Sequence, residues 1–257
     1  MSEPTERFAA PPPVDATASP RLRTIPAGTP LWHVTREIGH DPGAVASPFR
    51  RPDRSLADSS GVPDAGGRFD LRPEQGFSAC TAALDDVTAL AEVLLRDTEA
   101  GTGVRPVLAA SLRGRGLEVL EAQRSLTLIS LVSAEDLAAA WQDTWLIHTG
   151  PGDYAVTRRW GHWLRRCAPA ADGLAWRSRH QPDGVNVLLF EDRCAGGLVP
   201  SPLGRRRLDD PAALGWLNQR LALLRTYAVP PDTEATGDGA GANGSGPADD
   251  TGQGNAA

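Results

Sequence analysis

The stretch Tyr154–Phe190 reads YAVTRRWGHWLRRCAPAADGLAWRSRHQPDGVNVLLF, and two periods follow one another within it. In its first third, Val156, Trp160, Trp163, Leu164 and Cys167 fall at i, i+4, i+7, i+8 and i+11. That spacing predicts a helix with one buried face and arginines on the other. Val185–Phe190 is a run of strand length in which every residue but Asn186 is apolar, and it predicts a buried strand. A helix leading through a short linker into a buried strand sets the theme for the rest of the chain.

Working toward the N-terminus, Ser133-Ala134-Glu135-Asp136 carries the hydroxyl-then-acid signature of a helix start, with the helix expected to run to Asp143. Ser125–Val132 and Arg105–Leu112 are apolar runs of strand length. Leu84–Arg96 is the clearest helix. Asp85 or Asp86 can cap it, and Leu84, Val87, Ala91, Leu94 and Leu95 recur at helical spacing. Phe69–Leu71 and Phe77–Thr81 read as short strands joined by the turn Pro73-Glu74-Gln75-Gly76, and Thr29–Thr35 as the opening strand. A loop rich in Pro and Gly runs from Gly39 to Gly67. Beyond Phe190, Pro211–Tyr227 is expected to form a last amphipathic helix. Helices and strands mix without βαβ alternation, so the expected class is α+β, with a mixed or antiparallel sheet flanked by helices.

Both ends lack anything to bury. Residues 1–20 are rich in Pro, Ala and Thr around Pro11-Pro12-Pro13, and residues 229–257 are mostly Gly, Ala, Asp, Asn, Pro and Thr. Ordering costs roughly 1–2 kcal/mol per residue for the backbone, so both are expected to be disordered. Residues 21–228 then form one domain with a sizeable core.

The formal net charge of -6 argues against nucleic acid as a direct partner. All 26 basic side chains are arginine, which removes Schiff-base lysine chemistry. The 3 cysteines, Cys80, Cys167 and Cys194, have no paired spacing, against a zinc ribbon or disulfide framework and in favour of a reducing compartment. With no secretion signal and no apolar stretch near the ~20 residues of a membrane span, the expected location is the cytoplasm, away from membranes. The 5 histidines show no metal-ligand spacing, so no metal is expected. Gly114-Arg115-Gly116 begins a dinucleotide fingerprint, but Val119 stands at the third glycine position. Walker loops, zinc-protease histidine pairs and nucleophile elbows do not occur.

Three short segments remain. Gly66-Gly67-Arg68-Phe69-Asp70 offers an arginine after two glycines, which lets backbone approach an anion that guanidinium grips bidentately. Thr88-Ala89-Leu90-Ala91-Glu92 places a carboxylate at the edge of the apolar helix face. Gly173-Leu174-Ala175-Trp176-Arg177-Ser178 ends in a serine bracketed by Arg177 and Arg179.

In this order and setting the three segments resemble the RES family, named for such an Arg, Glu and Ser. The likeness extends from about Leu31 to Arg193 and includes the tyrosine-led helix at Tyr154, Asp172-Gly173-Leu174, and the Asn-containing strand ending in Phe190. The resemblance implies an ADP-ribosyltransferase-like fold and attack on NAD, as substrate rather than cofactor, at the bond between ribose and nicotinamide. It implies Arg68, Glu92 and Ser178 as catalytic residues. Arg68 would clamp phosphate, Glu92 would hold ribose hydroxyls and face the developing cation, and Ser178 would orient the ribose. His33, Phe69 and Thr81 fall at substrate-binding positions, where the family usually carries an arginine in place of His33 and a tyrosine near Thr81. Inorganic phosphate is the co-substrate of characterised members, and many are bacterial toxins paired with a cognate antitoxin. Water or a protein as acceptor would need the same trio, the latter giving a mono-ADP-ribosyltransferase. An inactive binding module of the same fold is the other reading left open.

Overall fold

A computed structural model describes residues 10–36, 48–49, 67–70, 78–96, 103–194 and 196–229. Its strands are β1 (Leu22–Ile25), β2 (Pro30–Arg36), β3 (Ala79–Ala83), β4 (Arg105–Val107), β5 (Arg115–Ala122), β6 (Leu126–Leu131), β7 (Gly173–Arg177), β8 (Val185–Phe190), β9 (Leu198–Arg207) and β10 (Thr226–Ala228). Eight of them make one sheet in the order β1-β6-β7-β8-β3-β2-β5-β9. Only β6 and β7 run parallel in that sheet. β4 and β10 pair as a separate parallel ribbon. The expected α+β class with a mixed, mostly antiparallel sheet and flanking helices is what the structure shows.

The longer helices are α1 (Asp86–Leu94), α3 (Ala134–Ala139), α5 (Tyr154–Cys167) and α7 (Leu214–Ala222); α2 (Ala109–Leu112), α4 (Trp145–His148) and α6 (Glu191–Cys194) are single turns. Strand alternation divides the core into layers. On one face, Ile129, Leu131, Leu174, Trp176, Leu188 and Phe190 pack under Trp160, Trp163 and Leu164 of α5. Farther along that face, Ala83, Trp32 and Val34 meet α1 and α7. The other face is packed mainly by strand residues, Ile25, Leu31, Cys80, Ala82, Leu120, Leu126, Leu128, Val187 and Leu189 among them, around which the sheet curls.

Two glycines set the close approaches. A Cβ on Gly173 would sit 2.0 Å from the Leu188 carbonyl oxygen, so β7 and β8 could not close with a larger residue there. A Cβ on Gly184 would sit 1.9 Å from Thr88 Oγ1, so glycine at the entry of β8 lets the first turn of α1 lie against the sheet.

Four expectations need correction. Phe69, expected to open a strand, lies with Arg68 in a turn: Gly67 N donates to Asp70 Oδ2 at 2.5 Å, so a side-chain carboxylate takes the backbone donor. The run Arg105–Leu112 is a strand only to Val107 and then a helical turn. The final helix ends at Ala222, and the chain reverses through Arg225, at φ 52, into β10. The N-terminal segment, largely exposed, is tied to the core from residue 10 onward at three points: Trp160 Nε1 donates to the Ala10 carbonyl at 2.9 Å, Trp163 Nε1 to that of Ala16 at 3.2 Å, and Ala18 is buried. Buried indole N–H groups need acceptors, and this segment supplies them. Nearly all of the Gly39–Gly67 loop, the turn at Pro73–Gly76, Phe77 and residues 230–257 lie outside the described residues.

Candidate active site

α1 starts where Asp85 caps it. Asp85 Oδ1 accepts from Thr88 N and Oδ2 from Thr88 Oγ1, both at 2.7 Å. Thr88 is wholly buried against Gly184, and one turn later on the same side comes Glu92. Its carboxylate is half-buried at the β7–β8 hairpin. Asn186 Nδ2 donates to Glu92 Oε2 at 2.8 Å, and Ser178 Oγ makes a long contact with the same oxygen at 3.5 Å.

Ser178 is wholly buried at the end of β7, and its Oγ accepts from the backbone N–H groups of His180 and Gln181, each at 3.3 Å. Its hydroxyl thus closes the hairpin and leans on Glu92. This geometry turns Ser178 toward the carboxylate and the hairpin backbone rather than toward open space.

Arg68 arrives from a different direction. Thr157 Oγ1 of α5 donates to the Arg68 carbonyl at 2.5 Å, and Arg158 Nε donates to that of Gly67 at 3.1 Å. Phe69 is buried, with its ring edge-on to Trp176 at 5.1 Å, and Gly161 of α5 leaves room for it. Phe69 is therefore a wedge that fixes the turn in the core.

With the turn anchored, the Arg68 guanidinium lies 5.1 Å from the centre of the Tyr154 ring, and its Nη1 donates to the Leu146 carbonyl at 3.3 Å. Only 3% of the residue is exposed, and its Nε is buried with no hydrogen-bond partner among the described residues. Burial lowers its pKa, Tyr154 and Glu92 act in the opposite sense, and Arg179 and Arg96 lower it further. A guanidinium stays charged all the same.

The same groups act on their neighbours. Burial raises the Tyr154 pKa, with Arg68 opposing and Glu92 adding. Burial, with Arg68 and Arg179, lowers that of His148. His180 is pushed down to about 4 by burial first and then by Arg179, Arg105 and Arg68. Glu92 therefore stands in the field of a group of arginines whose neighbouring histidines are neutral at pH 7. Arg96 and Arg179 have no carboxylate partner among the described residues. Such a site can hold an anion against guanidinium while presenting one carboxylate to a cation.

The structure brings together Glu92 and Ser178, with Arg68 close enough to feel the Glu92 charge. It does not bring His33 to them. Leu31 shares the strand-packed face with Cys80 and Ala82, whereas Trp32 and Val34 face α1; His33, two residues from Leu31, takes the former side. There His33 Nδ1 is 2.6 Å from the Thr81 carbonyl, and Nε2 is 3.9 Å from Glu118. Thr81 alternates with Cys80 and Ala82, which puts its side chain on the Glu92 side, half-buried, opposite Leu188 across the β3–β8 ladder.

Asn186 and Tyr154 are the site residues that sequence reasoning did not select. Asn186 carried a signal all the same: an amide inside a buried apolar strand must find a partner. Among the described residues, no group of three His, Cys, Asp or Glu could hold a metal ion, and no helix is long and apolar enough to cross a membrane.

The RES domain family matches residues 30–209. Among curated proteins no sequence matches the chain. A chain in the crystal structure of the M. tuberculosis MbcT–MbcA toxin–antitoxin complex is similar at 17% identity and a TM-score of 0.46, covering 69% of this chain and 84% of that one.

Proposed function

The chain belongs to the RES domain family, and from that premise we propose that it consumes NAD, cleaving the bond between nicotinamide and ribose and passing the ADP-ribosyl group to phosphate or water. The observation that carries this reading is the Glu92 carboxylate, clamped at one oxygen by Asn186 and Ser178 beside a group of arginines. Nicotinamide leaves as a neutral molecule from a cationic ring, so no strong acid is needed at the leaving group. Two charges need support, the cation that develops on the ribose and the diphosphate that anchors it.

Glu92 meets the first need. At ~4 Å and an effective dielectric of ~20, a unit charge pair contributes about 4 kcal/mol. Expressed only in the transition state, that is roughly three powers of ten in rate. Arg68 and Arg179 meet the second, and Arg68 Nε is a buried donor with no acceptor among the described residues. Ser178, being buried, serves through Glu92 and the hairpin backbone rather than by touching the ribose.

Incubating the purified protein with NAD, with and without inorganic phosphate, tests the reading. We expect NAD loss with release of nicotinamide, and phosphate dependence separates a phosphorylase from a hydrolase. Glu92→Gln is expected to lower turnover by about a thousand-fold in a protein that melts as the wild type does. Undiminished turnover in that variant would sink the assignment. A toxin role with a cognate antitoxin belongs to the same reading. Expression is expected to arrest bacterial growth, and Glu92→Gln to relieve the arrest.

A further inference from the structure

We infer that Asn186 is the positioning residue of the site, fixing which oxygen of Glu92 is offered to the reacting ribose; this rests on the NAD reading above. Asn186 is the second residue of β8, paired with Trp176 on one side and Ala83 on the other, and is 1% exposed. Every other residue of β8 is apolar. An amide in such a strand carries a desolvation cost unless it is hydrogen-bonded. Its Nδ2 finds Glu92 Oε2 at 2.8 Å, a charge-assisted bond of the strong kind. The carboxylate also settles which way the amide points, because the opposite orientation would set two acceptors against each other.

The consequence lies in the asymmetry. Asn186 and Ser178 both address Oε2, and no donor among the described residues addresses Oε1. Ser178 is the weaker of the two, at 3.5 Å, and its hydroxyl is shared with two backbone N–H groups. Asn186 is therefore the principal clamp. It sits on a central strand with few accessible rotamers, so it holds a long, half-buried glutamate that would otherwise sample several. Only a carboxylate held still contributes fully in the transition state, since reorganisation at the moment of reaction weakens it.

Two measurements on the full chain test this. In the first, the side-chain amide of Asn186 is followed by 15N–1H NMR in the wild type and in Glu92→Gln. A charge-assisted bond predicts an Asn186 amide proton well downfield that moves back when the charge is removed, whether or not NAD is the substrate. An unmoved signal overturns the inference. In the second, NAD turnover is compared for the wild type, Asn186→Leu, Glu92→Asp and the double variant, with folding checked by thermal melting. Losing a hydrogen bond to a charged group corresponds to about a ten- to hundred-fold fall in kcat, with KM unchanged. Because the shorter aspartate has already left the clamp, Asn186→Leu should cost little more in that background. Additive losses, or a raised KM at normal kcat, would make Asn186 something other than a positioning residue. If Asn186→Leu does not fold, Asn186→Ser, which keeps a donor without the reach, takes its place in the same cycle. A wild type that leaves NAD intact refutes the NAD reading alone, and the NMR signal then decides the inference.

Discussion

At the scale of single residues, charge in this site is arranged by burial as much as by pairing. His180 illustrates it. Its neighbours Arg179, Arg105 and Arg68 are all cations, and with burial they hold its pKa at about 4 against 6.5 for a free histidine. The folded state therefore refuses a proton that the unfolded state accepts between those values. The sign follows: stability that is full above pH 6.5 falls as pH drops through the window toward 4, and the loss from this residue is complete below it. His180→Gln, which cannot protonate, should lose less stability over that window. Urea unfolding of both proteins at pH 7, 5.5 and 4 checks it, and parallel pH dependences would show that His180 does not titrate as the site geometry requires. The carboxylates, common to both proteins, cancel in the difference. Neutral His148 and His180 also keep the arginine group from gathering further positive charge, which would compete with Glu92 for its role toward a cation.

At the scale of elements, the site depends on two close approaches that carry no side chain. α1 reaches the sheet because Gly184 has no Cβ, and Glu92 meets Asn186 and Ser178 only because α1 lies there. Gly184→Ala would bring a methyl within 1.9 Å of Thr88 Oγ1, 2.8 Å of Cγ2 and 2.9 Å of Cβ. Thr88 is wholly buried, so the helix must move. Overpacking of this kind costs about 1–3 kcal/mol. We expect Gly184→Ala to lower the unfolding midpoint and to reduce NAD turnover more than stability alone explains, because the shift displaces Glu92. Adding Thr88→Ala, which removes Oγ1 and Cγ2, should recover part of both losses; calorimetry and turnover on the three variants give the comparison. These elements also show what was legible. α5 could be read in the sequence because its apolar positions keep a helical period, and β8 because every residue but Asn186 is apolar. β5 could not, since a bulge between Glu118 and Leu120 breaks its alternation. Nor could β9, an edge strand, largely exposed, whose LVPSPLGRRR carries two prolines and three arginines. In the site, the meeting of Glu92 and Ser178 was suggested by three short segments taken jointly, whereas the burial of Phe69 and the face that His33 takes were not legible. Which face a strand residue takes, and whether an aromatic is wedge or platform, depend on partners far off in sequence.

At the scale of the whole molecule, the N-terminal segment and α5 make a continuous path to the site. Residues 10–18 lie along Trp160 and Trp163, whose rings meet edge-on at 5.2 Å, and both indoles donate into that segment. The same helix begins at Tyr154, beside Arg68, and holds the Arg68 turn through Thr157, Arg158 and Gly161. Proline-rich chain is a good strap in physical terms, because its backbone loses little freedom on docking and its carbonyls remain open to donors. The composition that suggested disorder is compatible with order once two tryptophans supply the apolar surface and the N–H groups. Removing residues 1–19 would leave two indole donors without their protein acceptors, at about 1 kcal/mol each, and expose part of both rings. For a domain of this size that corresponds to a fall of roughly 4–8 °C in Tm. Tryptophan emission should shift to the red as the rings meet water. Because α5 carries both the strap and the Arg68 turn, the KM for NAD should rise in the truncated protein at temperatures where it is still folded. A truncated protein with unchanged Tm, emission and KM would show that the segment merely rests on the surface.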